Sequence, residues 1–319
     1  MAGKAQRRQE ASPIESSATY RVLNAVKEPA SVIYVIDSVE HPFDIAQAAD
    51  GCASMVVSIP IANWNDALTP WPAPGFYENE PWFGGHGRET LRELTEQVIP
   101  AIEAELGIAS YVESFRKERS GAPFVTSSLS QSAFEATAVK NTPHSIRTDA
   151  NSPHPRKGGG AIKRAICGYS LGGLFALYAF VNDKRFDACA SISGSLWYQG
   201  WMGHLREAMD DPNGETGGEQ RFDACEQCAI PPISNDAAIG NCRFDGRGRY
   251  AFLSVGKKEC KSGLPLFRCV EDSMHASAEL LHAAGCRVYT SVGPGNHMQH
   301  IPERFEAAIA ALDEFLARL

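Results

Sequence analysis

A serine hydroxyl becomes a nucleophile only when a base takes its proton and an acid orients that base. In this chain Ser170 has the surroundings such chemistry needs. It lies in Gly168-Tyr169-Ser170-Leu171-Gly172, the pattern G-x-S-x-G, within "RAICGYSLGGLFALYAF" at residues 164–180. Ala165, Ile166 and Cys167 read as the end of a buried strand, and Leu174 to Phe180 as the start of a buried helix. So sharp a strand-to-helix turn strains the serine backbone and lifts its hydroxyl clear of the sheet. It also needs glycine on both sides, because a Cβ there would meet neighbouring elements. The five-residue pattern is weak alone, and its flanking strand and helix give it meaning.

An acid and a histidine are then expected in that chain order, each on a loop following a later strand. After "YAFLSVG" comes Lys257-Lys258-Glu259, with a carboxylate three residues beyond Gly256. After "RVYTSVG" comes Pro294-Gly295-Asn296-His297, with an imidazole on a turn before the last helix. Glu259 also reads as a solvated charge among lysines, and Asp37, Glu271 and Asp272 are the other acids to weigh. His300 competes with His297, which its glycine turn favours. His41, His86, His144, His154, His204, His275 and His282 follow no late strand and read as surface or helix residues.

The elements that must position these residues alternate. "TYRVLNAV", "SVIYVIDS" and "SMVVSIPI" read as strands, and "RETLRELTEQVIPAIEAELG" as a helix stopped at Gly107. "DACASIS", "YAFLSVG" and "RVYTSVG" continue the strands, with helices over "EDSMHASAELLHAAG" and "PERFEAAIAALDEFLARL". Strands alternating with helices imply a mostly parallel sheet covered on both faces. Residues 18–319 are expected to form a single domain, with polar insertions at about 117–160 and 207–249 and a flexible tail over 1–17.

Composition narrows the classes. Hydrophobic residues make up 44% and charged residues 21%, the balance of a soluble globular protein. A net charge of −8 argues against nucleic acid as a partner, because phosphate binding wants clustered Lys and Arg. No apolar run approaches the ~20 residues that cross a bilayer. "MAGKAQRRQEASPIESS" lacks the apolar centre of a signal peptide, so a cytoplasmic location is expected. Cys167, Cys189 and Cys286 lie in apolar strand-like stretches, and the nine cysteines are an odd number, which fits free thiols in a reducing compartment.

With these motifs in order, the chain resembles the esterase family of α/β-hydrolases that includes the enterobactin and salmochelin esterases. "GYSLGGLFALYAF" followed by "DACASISGSLWYQGW" carries the likeness, with "VIYVIDS" similar to an early strand ending L-D-G. "NWNDALTPW" resembles the family's R-x-x-D-x-T-P loop, "LSVGKKE" its G-x-x-E strand end, and "GPGNHMQHIPERF" its G-x-x-H turn. The resemblance covers residues 31–110, 161–204 and 250–319. It implies the α/β-hydrolase fold and metal-free ester hydrolysis through an acyl-enzyme, on a small-molecule ester. Ser170 would be nucleophile, His297 general base and then acid, and Glu259 the orienting acid. The Leu171 N–H would be one oxyanion donor and the loop near Ser38 the other. Ser38 stands where the family has glycine, and the family's arginine is missing from "NWNDAL".

Other signals keep two readings. Tyr169 and Trp197, with Tyr198 and Trp201, could line a substrate pocket or fill the core. Trp64, Trp71 and Trp82 raise the same choice, with surface packing favoured. Cys225-x-x-Cys228 with Cys242 could begin a zinc site, but no second tight pair exists and free loop thiols are the expectation. No cofactor or metal is expected, and the glycines at 158–160 follow no strand and form no phosphate loop. The same triad would also serve an acyltransferase, and the fold without it a non-catalytic binding protein. The sequence leaves oligomeric state open.

Overall fold

The computed structural model describes residues 20–75, 80–108, 161–209 and 243–319. The expected 1–17 tail, the insertion at 117–160, and Cys225, Cys228 and Cys242 lie outside the described residues. So does all but the edges of the insertion at 207–249.

Seven strands form one sheet: β1 (Arg21–Val22), β2 (Ser31–Ser38), β3 (Met55–Ile61), β4 (Lys163–Tyr169), β5 (Ala188–Ile192), β6 (Tyr250–Gly256) and β7 (Arg287–Gly293). Their order is β1-β3-β2-β4-β5-β6-β7, all parallel except β1, which runs antiparallel to β3. The helices are α1 (Trp64–Ala67), α2 (Gly87–Glu93), α3 (Ile99–Glu105), α4 (Leu171–Asn182), α5 (Trp201–Ala208), α6 (Val270–Ala283) and α7 (Ile301–Ala317). A π-helical stretch, Leu94–Val98, joins α2 to α3, so the expected single helix runs on to the expected stop.

Central strands in a parallel sheet are covered on both faces, and their sequences show it. All eight residues of "SVIYVIDS" are buried. Within β2, Val32, Tyr34 and Ile36 enter one core and Ile33 and Val35 the other, the period of two a strand imposes. The first core lies under α4, α5 and α6; α7 closes the second over β2, β4, β5 and β6. Helix α4 has Leu171 to Val181 buried on every side, which explains its lack of an amphipathic stripe.

The first strand is shorter than "TYRVLNAV" suggests. After Leu23, whose N–H still donates to the Val56 carbonyl at 2.9 Å, the Asn24 side chain replaces the backbone ladder: its Nδ2 donates to the Ser54 carbonyl at 2.9 Å, and its Oδ1 accepts from the Val56 N–H at 2.7 Å. Among the described residues no helix is long and apolar enough to cross a membrane.

Candidate active site

Register brings the site together. Tyr169 pairs with Ile192, Ile192 with Ser254, and Ser254 with Ser291, so the ends of β4 to β7 share one edge. Loops leaving the carboxyl ends of such strands are where α/β sheets bind ligands.

Ser170 is the turn between β4 and α4, with φ 56° and ψ −121°. A non-glycine residue there carries strain of about 1–3 kcal/mol. Neighbouring bonds hold it: its N–H donates to the Ile192 carbonyl at 3.0 Å, and its carbonyl accepts from Gly173, Leu174 and Ser195. A Cβ on Gly168 would lie 2.2 Å from the Gly172 carbonyl oxygen, and one on Gly173 would lie 2.9 Å from Gly194. The turn therefore needs glycine for close backbone approach, as its spacing suggests.

Glu259 and His297 arrive on adjacent loops. The Lys257 N–H donates to the Gly293 carbonyl at 2.8 Å and the Lys258 N–H to the Gly295 carbonyl at 2.9 Å, joining the loop after β6 to the loop after β7. His297 Nδ1 lies 2.9 Å from Glu259 Oε2, and His297 Nε2 lies 3.0 Å from Ser170 Oγ. Glu259 is fully buried. Its other oxygen, Oε1, accepts from Ser193 Oγ at 2.7 Å, the Gly256 N–H at 2.6 Å and Arg304 Nη1 at 2.8 Å. Burial pushes this carboxyl up, but the bond and charge of His297, with the Ser193 hydroxyl and Gly256 N–H, outweigh it. The net effect holds Glu259 below its ordinary value. The Tyr169 hydroxyl donates to the His297 carbonyl, and the Tyr169 and Phe267 rings flank the imidazole. A hydrogen-bonded chain from hydroxyl to imidazole to carboxylate can take the serine proton as the oxygen attacks an electrophile.

The other acids stand apart. Asp37 is buried under the early loop, accepting from Arg21, Ser58 and the N–H groups of Ser38 and Phe43. Glu271 and Asp272 open helix α6. His300 caps the start of α7 beside Glu303.

Leu171 is the first residue of α4, so its N–H has no acceptor within the helix and is available beside Ser170. Ser38 stands on the cleft wall, but its N–H turns inward to Asp37 Oδ1 at 2.8 Å. Nearby, the N–H groups of Val39, His41 and Phe43 also have acceptors, in Ile61, Ser38 Oγ and Asp37. In this conformation that loop aims none of those four N–H groups at Ser170.

A cleft of about 830 Å³ opens over Ser170 and His297. Tyr169, Phe43, Trp64, Phe83 and Trp82 line it, with Glu40, Asp66 and Glu80. Trp64 and Trp82 therefore belong to the cleft and not to surface packing alone, whereas Trp71 packs on Tyr198 and His204. Trp197 is not on this wall. It is 5% exposed and packs on Phe267 and Tyr198, because the strand-end turn after β5 points it into the core. His41, read as a surface residue, also lines the cleft. Sequence reasoning missed Ser193 and Arg304, which reach Glu259 from the turn after β5 and from α7. A charge on the buried stripe of the last helix was the available signal for Arg304. No group of three or more His, Cys, Asp or Glu poised to hold a metal occurs among the described residues.

The strand order, the strained serine turn and the loop positions define the α/β-hydrolase fold. Solved structures with this fold include the siderophore hydrolase EstA from Aspergillus nidulans, 14% identical with TM-score 0.50, covering 99% of this chain and 100% of that one. An IroE-like serine hydrolase from Shewanella oneidensis is also 14% identical with TM-score 0.50, covering 93% of this chain and 80% of that one. Among curated proteins, the uncharacterized protein YbbA of Bacillus subtilis (strain 168) is 27% identical over 146 residues, 46% of this chain. The matched stretch spans 39% of that relative's length. No family model matches the chain.

Proposed function

We propose that this protein is a serine esterase that hydrolyses small-molecule carboxylic esters through an acyl-enzyme. The reading rests on one observation above others: Ser170 Oγ, His297 Nε2 and Nδ1, and Glu259 Oε2 form a continuous chain with links of 3.0 and 2.9 Å. Ser170 Oγ attacks the ester carbonyl while His297 Nε2 takes its proton. Glu259 fixes the imidazole and balances its charge. The Leu171 N–H stabilises the developing oxyanion. His297 then returns the proton to the leaving alcohol, and water resolves the acyl-enzyme by the same path in reverse.

Cleft chemistry supports a substrate with a flat or apolar portion, held by Phe43, Trp64 and Trp82. The described lining residues include no lysine or arginine, and the carboxylates favour neutral esters over polyanionic ones. Two solved neighbours are described as a siderophore hydrolase and a serine hydrolase, which makes uncharged siderophore esters the natural class to assay first. Wild type is expected to hydrolyse p-nitrophenyl butyrate and to react covalently with a fluorophosphonate, and Ser170→Ala to do neither. A wild-type rate no higher than that of Ser170→Ala, with no labelling, would overturn the reading.

A further inference from the structure

Arg304 is a charged side chain in an apolar place. It is 7% exposed and shares the buried stripe of α7 with Phe305, Ala308, Ile309, Leu312 and Leu316. A guanidinium there is costly unless its donors are paired; Nε is buried without an acceptor among the described residues, so the two terminal nitrogens make every bond. Nη1 donates to Glu259 Oε1 at 2.8 Å and also to Ser193 Oγ. Nη2 donates to the carbonyls of Pro294 at 2.9 Å and Asn296 at 3.1 Å. One side chain thus holds the far oxygen of the acid and the loop that ends in His297.

The surrounding backbone is shaped for this contact. A Cβ on Gly256 would lie 2.1 Å from Arg304 Nη2 and 2.9 Å from Glu259 Oε1, so only glycine admits both groups. Ser193 adopts φ +46°, which presents its hydroxyl to both Glu259 and Arg304. An apolar residue would fill the stripe of α7 without any of these arrangements.

We infer that Arg304 is a positioning residue, holding Glu259 with Oε2 turned to His297 and fixing the 294–296 loop that carries the imidazole. The inference rests on the serine-esterase reading. The ionisable groups facing Glu259 are His297 from the loop after β7, Arg304 from α7 and Tyr169 from the end of β4. Lys257, Lys258, Lys261 and Arg268 on the neighbouring turns are exposed, and the adjoining first turn of α6 adds Glu271 and Asp272.

The test measures p-nitrophenyl butyrate hydrolysis from about pH 5 to pH 9, the range in which an imidazole titrates. It compares wild type, Arg304→Met, Arg304→Lys, Glu259→Gln and the Arg304→Met/Glu259→Gln double variant. Arg304→Met is expected to lower kcat roughly 10- to 100-fold with KM little changed, the size of a positioning loss. The acid limb of its kcat/KM profile should move to higher pH, because the Glu259–His297 pair loses a facing cation and keeps its proton longer. Arg304→Lys should restore part of both effects. In the Glu259→Gln background Arg304→Met should add little, since both changes break one relay.

A wild-type kcat and acid limb in Arg304→Met overturn the inference, as does an equal loss in both backgrounds with an unmoved limb. If Arg304→Met fails to fold by circular dichroism, Arg304→Lys decides: an intermediate rate and limb support the role, and an unchanged profile overturns it. Fluorophosphonate labelling of wild type separates the two readings. A labelled, active wild type with insensitive Arg304 variants sinks the positioning role alone, and an unlabelled, inactive wild type sinks both.

Discussion

Glu259 carries its charge where burial opposes it, and its hydrogen bonds to the surroundings reverse that opposition. Because its folded-state carboxyl titrates below the unfolded one, it contributes stability above the ordinary carboxylate range. That contribution is lost as pH falls through the folded value. Melting temperatures of wild type and Glu259→Gln, measured downward from about pH 5 across the usual Glu range, should therefore converge as acid removes the charge. Parallel curves would mean that the fold does not hold this group ionised. Glu259→Gln should also lower kcat by about 10²- to 10⁴-fold, the scale on which losing the orienting acid of such a relay acts. At this scale the sequence pointed to Ser170, Glu259 and His297, because each follows a strand end by a few residues. For Arg304 it offered only a charge on the apolar stripe of the last helix, and packing alone decides that this side chain reaches Glu259.

The serine turn shows what an element imposes. A Cβ on Gly168 would stand 2.2 Å from a backbone oxygen that cannot move without displacing α4. Gly168→Ala is expected to destabilise by about 1–3 kcal/mol or more, as overpacking does, read as a lower urea midpoint. Gly203, on the exposed face of α5, has nothing within 4 Å of its added Cβ. Gly203→Ala should raise that midpoint, by about 0.5–1 kcal/mol of helix propensity. Equal effects of the two substitutions would show that close approach is not what glycine provides at the turn. The expected strands and helices were legible because buried parallel strands read as apolar runs and their helices end at glycine or polar turns. The short β1 was not, because the exit from its ladder depends on one side chain, Asn24, finding carbonyls of the loop before β3 and the Val56 N–H of β3 itself.

Across the molecule, His204 links packing to pH. It stands among Trp71, Tyr178 and Trp201 and accepts a bond from Asn182 Nδ2 at 3.2 Å. Nδ2 also donates to the Tyr178 carbonyl, which fixes the orientation of the amide. Burial lowers this imidazole from 6.5 to about 4. The unfolded chain then binds a proton that the folded chain refuses, so stability falls as pH drops from about 6.5 toward 4. The loss is on the order of 3 kcal/mol across that window. Urea midpoints of His204→Gln should be flatter than wild type from about pH 6.5 down to about pH 5, the part of this range that lies above the window assigned to Glu259. A wild-type slope in the variant would place the acid sensitivity elsewhere.

By itself the sequence determined the class of fold and marked the serine turn, with Glu259 and His297 as the candidates to meet it. These depend on local pattern: apolar runs, glycine spacing and the distance of a polar residue from a strand end. Tertiary structure alone decided which side chains meet across distant segments. It turned the Ser38 N–H to Asp37, took Trp197 into the core, brought Trp64 and Trp82 to the cleft and carried Arg304 to the back of Glu259. Such contacts are set by strand register and by the burial of whole faces, and no local spacing in the chain encodes them.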